Sequence, residues 1–420
     1  MRLFLTLAVF ALTLTLMLFR PRGLHEAWAT CVGGGLMLLF GLETPAQAWR
    51  TTAQGADVLA FLLALMLLSG LLDRSGFFEW AALHAARAAK GSGEALYRNV
   101  FLLGAVVTAL LSLDTTAIIL TPVVLAFVGR LKLKARPFLL ACAFVANTAS
   151  LLLPVSNLTN LLFQSAFHFT FGTFALRMAL PQAAALAVNY FVFRRLFRHE
   201  LPRKFSTDDL PEPGSVLPDG PYFRGALAVL GCILVGYFVG SLRGVPPYVI
   251  ALAGCIVLAV WGVARRRVRW DVFRDVSWPL FPFVVGLFVV IRGVENLGLA
   301  RIAAKGLGAV GHAPLAVILA SASGAGAGSN VLNNVPMALL AISTLKSAHA
   351  GPAAQYGALL GCNLGPNLTL AGSLATMLVI SGARKKGEDV QASDFFRAGL
   401  WATPAMLLAA SLALWLALRF

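Results

Sequence analysis

Charge is scarce in this sequence. Only 12% of its 420 residues are Asp, Glu, Lys or Arg, 59% are hydrophobic and the mean hydropathy is +0.80; soluble domains carry about 25% charged residues. A large soluble body is thereby excluded. Cysteine is nearly as thin: Cys31, Cys142, Cys232, Cys255 and Cys362 each sit alone in an apolar segment, with no CxxC spacing. That pattern excludes a disulfide framework or a cysteine zinc site. The six histidines are scattered, so no metal cluster is visible. No nucleophile–base pair stands out, nothing resembles an ATP-binding motif, and no cofactor is implied. An enzyme is the least expected class. The net charge of +16 is not arranged as basic runs interleaved with stacking aromatics, so nucleic acid is not an expected partner. Lys and Arg gathered in cytoplasmic loops of a membrane protein explain it better.

What fills the space left by charge is apolar sequence. Runs near 3–19, 25–42, 56–72, 137–163, 173–193, 223–242, 246–264, 277–292, 353–381 and 395–418 are each long enough to approach or cross a hydrocarbon core of about 30 Å. The first, followed by "RPRG", lacks a small-residue cleavage site and reads as a retained span rather than a signal peptide. Two further stretches, 97–128 and 313–345, have polar centres, "SLDTT" (112–116) and "GSNVLNNVP" (328–336). The second lies in an uncharged run from Gly306 to Leu345. As one helix such a run would be about 60 Å long, twice the bilayer, so it must fold back. Both stretches are expected to be helical hairpins with polar tips deep in the protein.

With an extracytoplasmic N-terminus, segments 20–23, 73–98, 129–136, 194–224, 265–274 and 384–397 fall on the cytoplasmic side. They hold 25 of the 34 Lys and Arg, the bias that orients membrane proteins. The C-terminus is then also extracytoplasmic. The polar linker 196–222 divides the chain into 1–195 and 223–420. The halves echo each other: "GLLDRSGFFEWAA" (70–82) matches "GVENLGLARIAA" (293–304), and each half then offers a hairpin and a broken apolar stretch. Equivalent elements are separated by an odd number of crossings. The expected fold is therefore an all-α polytopic membrane protein of two inverted-topology repeats, with about ten transmembrane helices, two hairpins and helices broken at the midplane.

The breaks are "NTASLLLPVSNLTN" (147–160) and "NLGPNLTLAGSLAT" (363–376). Unpaired backbone in hydrocarbon costs several kcal/mol per group, so such segments must be buried in protein or line a cavity. Pro154, Gly365 and Pro366 interrupt the helices. Asn147, Ser150, Ser156, Asn157, Asn160, Asn363, Asn367, Thr369, Ser373 and Thr376 then become candidate ligand groups, together with Thr115, Asn330, Asn333 and Asn334 at the hairpin tips. The competing reading is that these small polar residues hold helices together. Asp114 is the acid set deep in these motifs, and intramembrane carboxyls commonly carry protons; the competing role is capping a half-helix. No Arg or Lys accompanies it, so a di- or tricarboxylate lacks a counter-ion, whereas a small neutral hydroxylated molecule suits amide groups that both donate and accept. Cys142 and Cys362 lie on the broken spans but read as small hydrophobes rather than ligands.

"LLDRSGFFEWAALHAAR" (71–87), "LDTTAIILTPVV" (113–124), "TASLLLPVSNLTNLL" (148–162), "NNVPMALL" (333–340) and "GCNLGPNLTLAGSLATM" (361–377) together resemble the arsenite efflux permeases, the ArsB-type members of the ion-transporter superfamily. The resemblance covers essentially the whole chain. It implies a multi-pass inner-membrane antiporter that expels As(III) and Sb(III) as neutral trihydroxides against entering protons, with elevator-like movement of hairpins and broken helices. It also implies a soluble arsenite-stimulated ATPase as partner in some relatives. The alternative within the superfamily is a sodium- or proton-coupled carboxylate carrier. One departure stands out: members often carry an acid where this chain has Asn147 and Asn363, and a basic residue where it has Asn367. Asp114 is left as the main titratable group.

Overall fold

A computed structural model describes residues 1–19, 25–206, 210–388 and 390–419. The first half runs α1 (Arg2–Phe19), α2 (Glu26–Leu39), α3 (Pro45–Gln54), α4 (Ala56–Arg74), α5 (Phe77–Arg87), α6 (Gly93–Leu110), α7 (Leu113–Thr115), a π turn over Thr116–Leu120, α8 (Thr121–Arg130), α9 (Ala135–Thr148), α10 (Leu158–Phe167) and α11 (Phe171–Phe197). The second runs α12 (Gly220–Leu242), α13 (Pro247–Ala264), α14 (Leu280–Glu295), α15 (Leu299–Gly308), α16 (Pro314–Leu332), α17 (Asn334–Ser347), α18 (Pro352–Leu364), α19 (Leu374–Lys385) and α20 (Ala392–Ala417). No strand occurs among the described residues.

Element order repeats. The opening pair α1–α2 corresponds to α12–α13, α4–α5 to α14–α15, the α6–α8 hairpin to α16–α17, the broken helix α9–α10 to α18–α19, and α11 to α20. Between α4 and α5 the chain turns at Gly76 (φ +82°), and between α14 and α15 at Gly298 (φ +74°). That left-handed conformation carries little penalty only without a Cβ, which is why the two similar sequence stretches share a glycine there. α3 is the main surplus, an amphipathic helix opened by Thr44 in a reciprocal cap with Gln47.

Equivalent helices run in opposite directions. α4 begins beside Pro246 and Tyr248 and ends at Arg74, which bonds Asp271 at 2.6 Å and Asp275 at 2.8 Å. α14 starts just beyond those aspartates and ends beside the α2–α3 connection, where Asn296 Nδ2 donates to the Leu42 carbonyl. Packing shows the exchange expected of a pseudo-two-fold: α4 lies on α13 while α14 lies on α2, and α9 lies on α19 while α18 lies on α10. The repeats are inverted.

Ten spans plus two hairpins were expected. Eight helices among the described residues are individually long and apolar enough to cross a bilayer, or nine if α14 and α15 are counted as one bent span. Three of the eight (α6, the stretch Leu113–Arg130 and α16) are hairpin arms, so five of the ten expected spans qualify singly and a sixth as the bent α14–α15 pair, while α1, α2 and the two broken spans are made of shorter pieces. The expected one-sided segments do gather at one end. Arg136 pairs with Glu200 and Asp394, Arg265 with Asp219, Arg87 Nη2 donates to the Leu210 carbonyl, and Lys386 Nζ to that of Pro122. These contacts join segments 73–98, 129–136, 194–224, 265–274 and 384–397 in a basic end; 20–23 lies outside the described residues. The Arg265 and Tyr222 contacts hold the Asp219 carboxyl below the usual carboxylate range.

At the opposite end, Glu43 lies in the α2–α3 connection at 1% exposure, with no hydrogen-bond partner for either carboxylate oxygen. Burial pushes its carboxyl from 4.5 up to about 7, opposed by Arg292 and reinforced by Glu295. The folded protein thus holds a proton that the unfolded chain releases. The associated stability is fully present below the unfolded value and is lost as pH rises through about 7. Glu43→Gln is expected to raise the melting temperature by about 2–5 °C at pH 8 and to leave it unchanged near pH 4.5. Thermal unfolding of the detergent-solubilised protein at both values checks this, and an equal shift at both would refute it.

Candidate functional site in the paired helix breaks

Both broken helices are broken in the same way. α9 ends at Thr148 and the chain passes through 3₁₀ turns at Ala149–Leu151 and Pro154–Ser156 before α10. α18 ends at Leu364 and passes through turns at Gly365–Leu368 and Leu370–Gly372 before α19. Asn147 precedes the α10 cap residue Asn157 by ten positions, and Asn363 precedes the α19 cap residue Ser373 by the same ten. Pro154 and Pro366 supply no backbone N–H, so the helical ladder stops where they enter.

The interruptions meet and bond to each other. Asn147 Nδ2 donates to Asn367 Oδ1 and to Thr376 Oγ1, both at 3.0 Å, and Asn367 Nδ2 donates to Thr148 Oγ1 at 3.1 Å. Asn363 Oδ1 accepts from Asn157 Nδ2 at 2.8 Å and from Thr159 Oγ1 at 2.5 Å, while its Nδ2 donates to Asn160 Oδ1 at 2.6 Å. Ser150 Oγ donates to the Asn147 carbonyl and accepts from Asn157 Nδ2. These side chains are buried. The expected gathering from both halves is therefore present, and much of it is a closed amide network rather than open space.

Each hairpin tip attaches to a break. Asn330 Nδ2 donates to the Gly365 carbonyl at 2.9 Å, Thr369 Oγ1 to Asn330 Oδ1 at 2.8 Å, and Asn333 Nδ2 to the Ala371 carbonyl at 2.9 Å. Asn333, at φ +78°, is the single residue that ends α16, so the second tip is sharper than the sequence motif. The close approach behind it depends on glycine: a Cβ at Gly365 would lie 2.4 Å from the Gly326 Cα, and one at Gly361 2.3 Å from the Ala322 carbonyl. In the first half, Ser156 Oγ donates to the Ala109 carbonyl at 2.6 Å.

At the first tip, Ser112 Oγ accepts from the Thr115 backbone N–H at 3.1 Å, so Ser112, not Asp114, caps the half-helix. Thr115 Oγ1 also lies 2.6 Å from Ser69 Oγ. Asp114 makes no hydrogen bond or ion pair among the described residues. It is half-buried in a cavity of about 340 Å³ lined also by Ser69, Asp73, Ser112, Thr115 and Asp275. Asp73 and Asp275 place the mouth at the basic end. The first hairpin's π turn packs on α19, whose cap residue Ser373 has a buried, unpartnered Oγ. Asn147 Oδ1 and Asn334 Oδ1 are likewise buried without partners.

Several participants were not singled out from sequence. Thr148 and Thr159 complete the amide network, Asn189 Nδ2 donates to Thr148 Oγ1 at 3.2 Å, and Gln182 Oε1 accepts from the Leu152 N–H freed by the break at 2.6 Å. Gln182 and Asn189 had a signal: they are the two amides inside one apolar span, Gln182 directly after Pro181. Cys142 and Cys362 are buried singly, and no cluster of three potential metal ligands occurs among the described residues.

Three comparisons bear on identity. The family model described as "ArsB: Arsenical pump membrane protein" matches residues 5–418. The arsenical pump membrane protein of Escherichia coli K12 is 33% identical, covering 98% of each chain, and that of Yersinia enterocolitica is 34% identical, covering 95% of each. In fold, the chain is similar to the crystal structure of the Alcanivorax borkumensis YdaH transporter, described as having an unusual topology, with a TM-score of 0.60 at 16% identity and 99% of each chain covered. With its inverted repeats, paired breaks and full-length match, this chain belongs to the arsenical pump membrane protein family.

Proposed function

We propose that the protein extrudes arsenite and antimonite, as neutral trihydroxides, from the cytoplasm in exchange for protons, in the inner membrane and by an elevator-type alternation. The observation that carries this reading is the asymmetry of the breaks. Around Asn363 the amide and hydroxyl groups satisfy one another. Around the first hairpin, by contrast, a carboxyl group, unpartnered Asn147 Oδ1 and Ser373 Oγ, and an open cavity occur on elements packed together. Free acceptors and rotatable hydroxyls suit a ligand whose own hydroxyls donate and accept. The same groups lack the fixed positive charge that a carboxylate needs, which disfavours the sodium- or proton-coupled carboxylate carrier.

In this reading the substrate site draws on Thr115, Asn147, Ser150, Asn157, Asn363, Asn367, Thr369 and Ser373, with Asn330, Asn333 and Asn334 from the second tip, and Asp114 exchanges the proton. The repeats are 1–195 and 223–420, with 196–222 as a cytoplasmic linker and both termini extracytoplasmic. The basic end then faces the cytoplasm, as its Lys and Arg excess favours, and the Asp114 cavity opens inward. Hairpins, broken helices, α11 and α20 form the moving unit. The frame is α1–α4 with α12–α14, and contact between them passes largely through α4–α10, α14–α17 and α11–α12. An arsenite-stimulated ATPase partner would make accumulation depend on ATP, which the same assay reads.

In everted vesicles, arsenite accumulation is expected to follow an imposed pH gradient and to ignore sodium; sodium dependence would sink the proposal. Asp114→Asn is expected to abolish gradient-driven accumulation while the protein still inserts and purifies as a monodisperse species, and wild-type accumulation would remove Asp114 from coupling. The two kinds of break residue separate in a second test. Asn363→Ala strands three buried partners and should cost about 2–4 kcal/mol of stability, seen as a large drop in melting temperature. Ser373→Ala removes no bond, so it should leave stability unchanged and weaken arsenite binding about tenfold. Unchanged binding by the Ser373 variant would place the ligand elsewhere.

A further inference from the structure

Four arginines converge on one cavity at the basic end, with a single acid, Glu94, in its lining among the described residues. The cavity, of about 480 Å³, is lined by Arg194, Arg195, Arg198 and Arg203, with Ser92, Glu94 and Phe191 among its other walls. Glu94 is its one carboxylate, and it is taken by Arg194 at 2.5 Å. Arg198 Nε meets His199 Nε2 at 2.8 Å. Among the described residues, Arg195, Arg198 and Arg203 make no ion pair. Like charges held together in this way repel one another unless an anion lies between them.

Orientation of the chain and the dipole at the end of α11 account for basic residues in its last turn. They account for a basic residue in the linker at Arg203 but not for its being folded back, beyond the helix, to the same cavity. That return is built into the backbone. Pro202 seats directly on Gly93, where a Cβ would lie 2.1 Å from the Pro202 carbonyl oxygen, and the Phe205 N–H donates to the Gly91 carbonyl at 2.9 Å. The walls therefore come from α6, α11 and the linker. Phe191, one turn before the arginines on a bilayer-spanning helix, is 61% exposed. An apolar ring on the bilayer side and guanidinium groups just beyond it mark the depth of lipid headgroups.

We infer that this cavity is a binding site for the phosphate headgroup of an anionic phospholipid, with Arg195, Arg198 and Arg203 as its ligands and Phe191 against the acyl chains. Guanidinium forks match phosphate oxygens in pairs. Bound there, the lipid would tie the end of α11, in the proposed moving unit, to the linker between the halves. The site itself does not depend on that assignment.

The test uses the full chain purified in a neutral maltoside detergent, with native mass spectrometry and thermal unfolding after addition of phosphatidylglycerol, cardiolipin, phosphatidylcholine or inorganic phosphate. Phosphatidylglycerol or cardiolipin is expected to be retained and to raise the melting temperature, while phosphatidylcholine and inorganic phosphate do neither. The triple variant Arg195→Gln, Arg198→Gln, Arg203→Gln should lose retention by at least about tenfold, whereas Arg266→Gln, on another loop of the same end, should keep it. If the triple variant does not purify in folded form, Arg203→Gln alone should still weaken retention about threefold. Equal retention of phosphatidylcholine, equal stabilisation by free phosphate, or undiminished retention by the arginine variants would overturn the assignment.

Discussion

Hydrocarbon gives an unpaired amide nothing to bond to, and this architecture follows from that constraint. Two helices stop in mid-membrane, which strands N–H and C=O groups worth several kcal/mol each. The chain meets that cost within each half: Asn160 Nδ2 donates to the Ser150 and Leu153 carbonyls and Gln182 Oε1 accepts from the Leu152 N–H, while Asn330 and Asn333 donate to the Gly365 and Ala371 carbonyls. Asn363 of one bonds Asn157, Thr159 and Asn160 of the other, and Asn147 returns the arrangement through Asn367 and Thr376. Asparagine suits this task because one side chain both donates and accepts. The amide side chains of each break take partners in the other, so the two repeats are coupled in stability as well as in symmetry.

The backbone symmetry is closer than the chemical one. Asn157 caps α10 through its own Oδ1, which accepts the Thr159 N–H at 3.1 Å, whereas Ser373, at the matching place before α19, makes no cap bond. Thr376 stands where the first half has Asn160. The second half thus leaves hydroxyl groups where the first has amides, and the carboxyl of Asp114 belongs to the first hairpin with no acid at the second tip. In the proposed reading, two copies of one scaffold are differentiated into a structural lock and an opening. In an inverted repeat each copy faces one side of the membrane, so such differentiation gives the two sides unequal chemistry without altering the frame.

Much of this was legible in the sequence because hydrocarbon makes polar residues informative. "SLDTT", "NTASLLLPVSN" and "NLGPNLT" stood out against apolar surroundings, and both hairpins and both breaks occur where those motifs lie. The shared glycines at Gly76 and Gly298 correctly paired the halves. What the residues did not reveal is partnership. An asparagine in a break reads equally as ligand or as brace until its neighbours are known, and the Asn363 cluster proves to be bonded internally on every side. Nor did Ser112 announce itself as the cap beside the more conspicuous Asp114. Glu43 was invisible for the opposite reason: it is one acid in a loop sequence, and only folding buries it without a partner. Half-helices such as α10 and α19 are too short to declare a crossing by length.

The absence of fixed positive charge near Asp114 bears on how such a carrier works. An ion at mid-membrane is expensive, and a buried charge is tolerated only with a partner or water. The Asp114 carboxyl faces a cavity with no Lys or Arg in its lining among the described residues, and Arg74 at the mouth is committed to Asp271 and Asp275. In the proposed cycle the hairpin therefore moves through the apolar frame with that carboxyl neutral, carrying a proton, while the charged form is confined to states open to water. A neutral trihydroxide adds no charge to the moving unit in either direction. A carboxylate substrate would, and the hairpin tips and breaks offer no guanidinium to cancel it. In the proposed cycle, the uncharged Asn147, Asn363 and Asn367 leave Asp114 as the acid among the hairpin tips and breaks, and so as the place within those motifs where a proton gradient can act on the substrate.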